Sequence, residues 1–200
     1  MAEKRIDKLD DSGMESTTVT VNRTCATVKG GRRMSFAALV VVGDRRGNVG
    51  IGYGKSRAVP TAIEKAQKYA KKAMFKVKLE DGTLPHAVQA AFGASSVRLI
   101  PAAPGTGVIA GGTVRAVLEM AGIQDCLTKA YGSTNKANLC KAVVAGLQSL
   151  QTREGIEALR GVKIGASRIE KMLDSNKKNQ PAASVAAAPK AKAEKSDAAA

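Results

Sequence analysis

Three glycines alternate with larger residues over Val49–Gly54, and this spacing constrains the fold more than any other feature of the chain. Successive side chains of a β-strand point to opposite faces, so Val49, Ile51 and Tyr53 would share one face and the glycines the other. A strand face without side chains lets another backbone approach closely. The alternation therefore predicts a strand with a second element packed tightly against its glycine face.

Two further strands are predicted before this one. Thr17–Val28 is rich in threonine and valine, which suits a strand, and the apolar run Phe36–Val42 is typical of a central strand covered on both faces. Glycines and charged residues in Val28–Arg33 indicate a loop, and Gly43–Asn48 indicates a turn. The interpretation is a three-stranded antiparallel meander.

A helix is predicted after the third strand, with Pro60 in its first turn, where the missing N–H costs nothing. Small and apolar residues recur at helical spacing and should pack on the sheet, namely Ala62, Ile63, Ala66, Ala70, Ala73 and Met74. A stripe of lysines lies on another face, formed by Lys65, Lys68, Lys72 and Lys76. These elements together predict an α+β domain over residues 16–79, with a three-stranded antiparallel sheet and one helix.

The second half of the chain has shorter elements and predicts a small α/β domain over residues 83–160, after a turn at Glu80–Thr83. Strands are expected at Ala87–Phe92, Val97–Ile100 and Ile123–Ala130, and helices at Gly112–Ala121, Asn135–Leu150 and Thr152–Leu159. Gly122 should end the first of these helices, and Ser133 or Thr134 should cap the second. Residues 1–15 are polar, and residues 177–200 are mostly Ala, Lys, Pro and Ser, so both segments are expected to be disordered.

Positive charge is concentrated in the first half. The net charge is +15 and the pI about 10.0, which implies a polyanionic partner, either nucleic acid or an anionic membrane. No apolar run is long enough to span a bilayer and the N-terminus lacks a secretory signal, so a soluble cytoplasmic protein is expected. Residues 16–78 hold 14 basic against two acidic side chains, whereas residues 79–150 hold five against four. The first block is therefore the predicted polyanion surface, and the second suits packing or protein partners.

The candidate phosphate contacts lie around the turns of the meander. They are Lys29, Arg32, Arg33, Arg45, Arg46, Lys55 and Arg57, and Gly30 and Gly31 should let the backbone approach a nucleic acid closely. A solvated charged loop is the alternative, but acidic residues are almost absent from the same block. With no Trp and only three Phe and three Tyr, contacts should be made to phosphate and shape rather than by base stacking.

Two glycine-rich segments suggest nucleotide binding but do not meet its requirements. GIGYGKS (Gly50–Ser56) lacks a glycine four residues before Gly54-Lys55, where a phosphate-binding loop needs one. GTGVIAG (Gly105–Gly111) resembles a dinucleotide fingerprint, but no preceding βαβ unit is visible. We expect no cofactor at either segment; the second fits an anion or a partner backbone at the start of a helix.

Catalytic and metal-ligating patterns are also missing. His86 is the single histidine and has no nucleophile paired with it by pattern, and nothing aligns Glu119 with Asp125 for acid–base chemistry. The three cysteines, at positions 25, 126 and 140, have no metal-ligand spacing and are interpreted as small buried hydrophobes. The expectation is a protein that is not an enzyme and takes no metal, cofactor or small-molecule substrate.

Long segments resemble the bacterial form of the small-subunit ribosomal protein five family. They are VKGGRRMSFAALVVVGDRRGNVGIGYGKSRAVPTAIEKA (Val28–Ala66), LIPAAPGTGVIAGGTVRAVLEMAGI (Leu99–Ile123) and KAYGSTNKANL (Lys129–Leu139), in the family's order. The resemblance covers roughly residues 17–150. It implies an N-terminal domain similar to a double-stranded-RNA-binding fold and a C-terminal α/β module.

The resemblance also implies a function: a structural protein of the small ribosomal subunit that binds its ribosomal RNA, aids assembly and neighbours ribosomal proteins four and eight near the messenger-RNA entrance. The family's loop matching Val28–Arg33 reaches toward the head–body junction, near the spectinomycin site. The segment matching Gly105–Arg115 belongs to the contact with protein four, where changes alter decoding accuracy, so Gly105, Gly107 and Arg115 are the expected protein interface. A free RNA chaperone or RNA-binding regulator is the alternative, and a nucleotide-dependent enzyme is a third candidate.

Overall fold

The structure, a computed structural model, describes residues 13–80, 82–162, 165 and 171. The tail predicted over 177–200 lies outside the described residues, as does the arm predicted over 1–15 apart from residues 13–15. The predicted boundaries of the domains at 16–79 and 83–160 stay predictions.

The first sheet is the predicted antiparallel meander with one strand added. Strands β1 (Glu15–Val28), β2 (Gly31–Gly43) and β3 (Asn48–Ser56) follow one another in space as in sequence. Helix α1 (Val59–Lys72) comes next, and the short β4 (Phe75–Lys76) pairs with β3. The prediction of helical spacing through Met74 and Lys76 was therefore wrong at its end. The chain leaves the helix after Lys72 because the backbone beyond it is hydrogen-bonded to the sheet edge.

The glycine face of β3 lies against α1, as the alternation predicts. A Cβ atom added at Gly50, Gly52 or Gly54 would overlap the backbone carbonyl oxygens of Ala70, Ala66 and Ala62, respectively. These three alanines are fully buried. Only glycine opposite alanine allows the helix and the sheet to approach this closely.

The other face of the first sheet belongs to a core shared with the second half of the chain. Leu39, Val41 and Val49 are at most 4% exposed and lie in one apolar cluster with Leu118 and Leu147. Every residue of β2 from Ala37 to Val42 is buried, which confirms the prediction of a strand covered on both faces. Each half of the chain therefore buries apolar residues of the other half.

The second sheet is mixed and confirms the predicted α+β class. Its strands are β5 (Val88–Phe92), β6 (Ser95–Pro101), β7 (Val108–Ile109) and β8 (Cys126–Gly132), in the spatial order β5-β6-β8-β7. Helix α2 (Gly112–Ala121) joins β7 to β8, which are parallel, and α3 (Lys136–Ser149) and α4 (Arg153–Arg160) follow. The two-residue strand β7 was not predicted, because so short a strand carries no periodicity.

Several predicted boundaries change in this half. The strand predicted from Ile123 begins at Cys126, and α3 is capped by Asn135, whose side chain accepts a hydrogen bond from the Ala137 amide at 3.1 Å. The choice of Ser133 or Thr134 as the cap was wrong. Gly122 ends α2 in the left-handed conformation (φ 87°), as predicted.

The cysteines divide into two kinds. Burial raises the pKa of the Cys126 thiol to about 11 and that of the Cys140 thiol to about 12, as expected for small buried hydrophobes. Cys25 is exposed, so its interpretation as a buried residue was wrong. The reason is that the part of β1 on which it lies has no second layer packed on it.

Candidate nucleic-acid interface

A two-stranded ribbon extends from the first sheet beyond the end of β3. β3 pairs with β2 only from Phe36 onward, where Phe36 lies opposite Ser56. The residues of β2 before Phe36 pair with β1 alone, as far as Gly31 opposite Val28. Only Lys29 and Gly30 form the turn at the tip, so the loop predicted over Val28–Arg33 is mostly strand. The ribbon is about 17 Å long at the usual rise per residue, and nearly all of its residues are exposed.

Cations lie on both faces of the ribbon. Arg33 pairs with Ala26 and Arg32 with Thr27, and adjacent residues of a strand point to opposite faces. Arg23 is exposed and occupies the same face as Arg32, four residues before Thr27 on β1. Arg23 was not among the predicted contacts, because only the pairing register shows that it faces the same way as Arg32.

The structure separates the predicted phosphate contacts into two groups. Lys55 lies opposite Ala37 and Arg57 just past the end of β3, so both lie at the base of the ribbon. Arg45 and Arg46 lie in the turn at the other end of β2. The 13 residues of β2 span about 40 Å, so the two groups cannot bind the same phosphates.

The turn that carries Arg45 and Arg46 is bound to the end of α2. The Arg45 amide donates to the Met120 carbonyl at 3.1 Å, and the Gly47 amide donates to that of Ala121 at 3.0 Å. These bonds satisfy carbonyls that a helix leaves free at its C-terminus. Arg45 takes a positive φ of 56°, and its guanidinium lies 2.6 Å from the Glu15 carboxylate in an exposed ion pair. The turn is therefore a fixed part of the scaffold, with the Arg46 side chain exposed.

Asp44 holds the shape of this turn. Its carboxylate accepts hydrogen bonds from the amides of Arg46 at 2.7 Å and Asn48 at 3.0 Å, and from the Asn48 side chain. Partial burial alone would raise the pKa of Asp44, but these hydrogen bonds outweigh that effect, and the pKa lies below its usual value. The ionised form is thus favoured by the folded state.

We expect Asp44→Asn to lower the thermal unfolding midpoint at pH 7 and to have a smaller effect at pH 3. A carboxyl group whose pKa is lower in the folded state stabilises the protein above its unfolded pKa, near 3.8, and this stability is lost as the pH falls through the folded value. The measurement is the unfolding midpoint of both proteins across this range. A difference that stays constant with pH would contradict the role of the charge.

The residues of the expected protein interface lie together around β7. Gly105 and Gly107 have positive φ angles of 88° and 74°, and the Gly107 amide donates to the Asp125 carboxylate at 2.7 Å. Arg115 lies in the first turn of α2, where its guanidinium donates to the Val108 carbonyl at 2.9 Å and lies 3.9 Å from Glu119. Its side chain is about half exposed. Asp125, weighed as a catalytic carboxylate, anchors this loop instead.

The segments that resembled nucleotide-binding motifs have other uses. Gly50–Ser56 is strand β3, with its glycines covered by α1, and the Gly107 amide of GTGVIAG already has Asp125 as its acceptor. The His86 Nε2 accepts a hydrogen bond from the Gln151 amide at 3.1 Å. Within residues 13–80 and 82–162, no three His, Cys, Asp or Glu side chains gather as a metal site requires, and no helix is long and apolar enough to span a membrane.

A basic ribbon on an α+β scaffold is the electrostatic pattern of a nucleic-acid-binding protein. Comparison with known families identifies the type. Residues 14–78 match the family described as Ribosomal protein S5, N-terminal domain, and residues 90–160 match Ribosomal protein S5, C-terminal domain. The chain belongs to the ribosomal protein S5 family.

Curated relatives agree over most of the chain. Proteins named small ribosomal subunit protein uS5 are 50% identical in Rhodopirellula baltica, over 80% of this chain and 92% of the relative, and 52% identical in Psychrobacter cryohalolentis, over 80% and 96%. The protein of the same name from Aliivibrio fischeri is 52% identical over 73% of this chain and 88% of its own length. The family matches at residues 14–78 and 90–160 contain strands of both sheets.

Proposed function

We propose that this chain is a structural component of the small ribosomal subunit that binds small-subunit ribosomal RNA and acts in the cytoplasm, within the ribosome. Its role is architectural rather than enzymatic. The observation that carries this function is the ribbon, because β1 beyond Glu15 and the whole of β2 contain no acidic residue. A surface with cations on two faces and no anion of its own attracts a polyanion and favours its binding.

The contacts to RNA are made at two places. The ribbon and its base supply Lys29, Arg32, Arg33, Lys55 and Arg57, with Arg23 added by the register. Gly30 and Gly31 at the tip have no atom within 4 Å of the place where a Cβ would lie, so the backbone there is open to a phosphate. Arg46 forms a second contact, which Arg45 joins if its ion pair with Glu15 opens. This contact lies about 40 Å from the tip of the ribbon and about 20 Å from its base.

The second half of the chain is the site of protein contacts. Gly105 and Arg115 are exposed, and Gly107 lies partly buried near them. The block that contains them has a nearly neutral charge, which suits a protein neighbour better than bulk phosphate. We propose ribosomal proteins four and eight as the partners, and a position near the messenger-RNA entrance with a part in assembly and decoding accuracy, because the family resemblance implies them.

Cosedimentation with small subunits after a high-salt wash tests the function. A structural component stays with the subunit, because many contacts to RNA and protein hold it there. A free RNA chaperone or regulator uses the same basic surface but is removed by the wash, since phosphate contacts alone weaken steeply with salt. Loss of the chain from washed subunits would therefore favour the alternative. Saturable nucleotide binding by the purified protein would instead indicate an enzyme.

We expect Arg115→Glu and Gly107→Val to change missense and stop-codon readthrough in cells while RNA affinity stays near that of the wild type. Reversing one partner of a charge pair buried in an interface costs about 2–5 kcal/mol, and valine is strained at the positive φ of Gly107. Arg160→Glu, at an exposed arginine on α4, is the matched control. Wild-type readthrough with a collapse in RNA affinity would make this surface an RNA contact.

A further inference from the structure

The outer face of the second sheet has no layer packed on it in the part of the chain that the structure describes. The residues of β6 and β8 that point inward, Val97, Leu99 and Cys126, are at most 1% exposed and belong to the shared core with α2 and α3. The alternate residues point outward. Among them Tyr131 is 49% exposed, and Arg98 and Lys129 are also exposed.

Pairing places these outward residues in three rows across the sheet. The first row is apolar, with Leu127 beside Ile100 and Ile109. The second is basic, with Lys129 directly opposite Arg98, and the third has Tyr131 opposite Ser96. The face thus presents an apolar row, two adjacent cations and an exposed aromatic ring in succession.

The basic row is unfavourable for the free protein. Residues directly opposite on antiparallel strands have Cβ atoms about 5 Å apart, and like charges there are destabilising. Gln89 is the third member of this row, and the outward positions of β5 to β8 include no Asp or Glu. Neither Arg98 nor Lys129 forms an ion pair with a described residue. An anion bound on this face would remove the repulsion.

We propose that this face binds an unpaired segment of RNA, with Arg98 and Lys129 on its phosphates and Tyr131 stacked on a base. The bases of a duplex are already stacked on one another, so only an unpaired base can lie on an exposed tyrosine ring. A four-stranded sheet with aromatic residues on its open face is how a common class of RNA-binding domains holds single strands. An acidic protein segment would satisfy the cations but would make no use of the exposed ring. The apolar row packs against a ribose or a second base.

This inference rests on the proposed function for its ligand, RNA, but it uses a different surface. That surface lies in the second half of the chain, whose nearly neutral charge by itself suggests protein partners. The test therefore uses the full chain with Lys29, Arg32 and Arg33 changed to glutamine, so that the ribbon contributes little. The probes are a labelled 12-nucleotide RNA of mixed sequence and the duplex of the same sequence, and binding is measured by fluorescence anisotropy.

In that background we expect Tyr131→Ala to weaken binding of the single strand about five- to a hundredfold, the usual effect of losing one stacked base, and to leave duplex binding nearly unchanged. Tyr69→Ala is the matched control, since Tyr69 is 55% exposed on α1. Arg98→Gln and Lys129→Gln should each lower the slope of log affinity against log salt by about 0.7. Equal single-strand affinities for the Tyr131→Ala and Tyr69→Ala variants would overturn the proposal.

A second measurement separates this role from a purely structural one. Arg98→Gln and Lys129→Gln should raise the unfolding midpoint of the free protein at low salt, because each removes the cross-strand repulsion. A lower midpoint would mean that the pair supports the fold, and it would count against the proposal. Hexaglutamate, an acidic peptide, is then added to compete with the RNA. If it displaces the RNA equally well from the Tyr131→Ala variant and from its parent, the face is an acidic-protein site instead.

The proposed function and this inference can fail separately. If the unaltered chain does not remain on washed subunits and binds no RNA, both fall. If it remains on subunits but Tyr131→Ala binds the single strand as its parent does, only the inference falls.

Discussion

Replacing Gly52 with alanine should lower the free energy of unfolding by about 3 kcal/mol, the upper part of the usual range for an overpacked core. The added Cβ would overlap the Ala66 carbonyl oxygen and lie 2.5 Å from the Ala70 amide nitrogen. Both are backbone atoms, so relief requires moving the whole of α1 away from the sheet. For a chain of this size the unfolding midpoint should fall by about 6–12 °C in a thermal melt.

Two control variants make this result specific. Gly112→Ala, at the first residue of α2, has no atom within 4 Å of the new Cβ and should leave the midpoint unchanged or raise it, since alanine favours a helix. Ala66→Gly should not rescue Gly52→Ala, because the overlap is with the carbonyl of Ala66 and not with its methyl group. A wild-type midpoint for Gly52→Ala would show that α1 does not lie against β3 as described.

The second large effect concerns the ribbon. Binding of the wild-type chain to a small-subunit ribosomal RNA fragment should fall about a thousandfold or more between 50 and 200 mM salt, because about six neutralised phosphates release their counterions on binding. Changing Lys29, Arg32 and Arg33 together to glutamine should lower the salt slope by about two to three. Filter binding at several salt concentrations measures both quantities.

The basic stripe of α1 offers a control of equal charge. Changing Lys65, Lys68 and Lys72 to glutamine also removes three positive charges, all from exposed positions, and should reduce the salt slope less than the ribbon variant does. Equal losses would mean that RNA affinity follows net charge and not the ribbon. A flat salt response of the wild type would contradict phosphate binding altogether.

The contact between β3 and α1 could be predicted from sequence because its two periods match. Glycines two apart on a strand are separated by about 6.8 Å, and alanines four apart on a helix by about 6 Å. Three glycines from Gly50 to Gly54 therefore stay opposite three alanines from Ala62 to Ala70 over the whole contact. Both patterns are local, so each could be recognised without knowing the other.

What could not be predicted depends on pairs of residues far apart in the chain. That Arg32 and Arg33 point to opposite faces, and that Arg23 joins one of them, follows from the hairpin register. The use of the Asp44–Gly47 turn as a cap for α2 depends on bonds between residues about 75 positions apart. No local sequence pattern indicates the hairpin register or the contact of the turn with α2, because the same turn residues would suit a free hairpin equally well.

The core shared by the two halves has a consequence for the chain as it leaves a translating ribosome. The meander and α1 are complete by residue 76, but Leu39, Val41 and Val49 are covered only when α2 and α3 arrive, by residue 149. At about 5–20 residues per second, that delay is roughly 4–15 seconds, during which an apolar sheet face is open to water and to other nascent chains. A longer interval before burial therefore leaves the newly made protein open to aggregation for longer, whatever the stability of the finished fold.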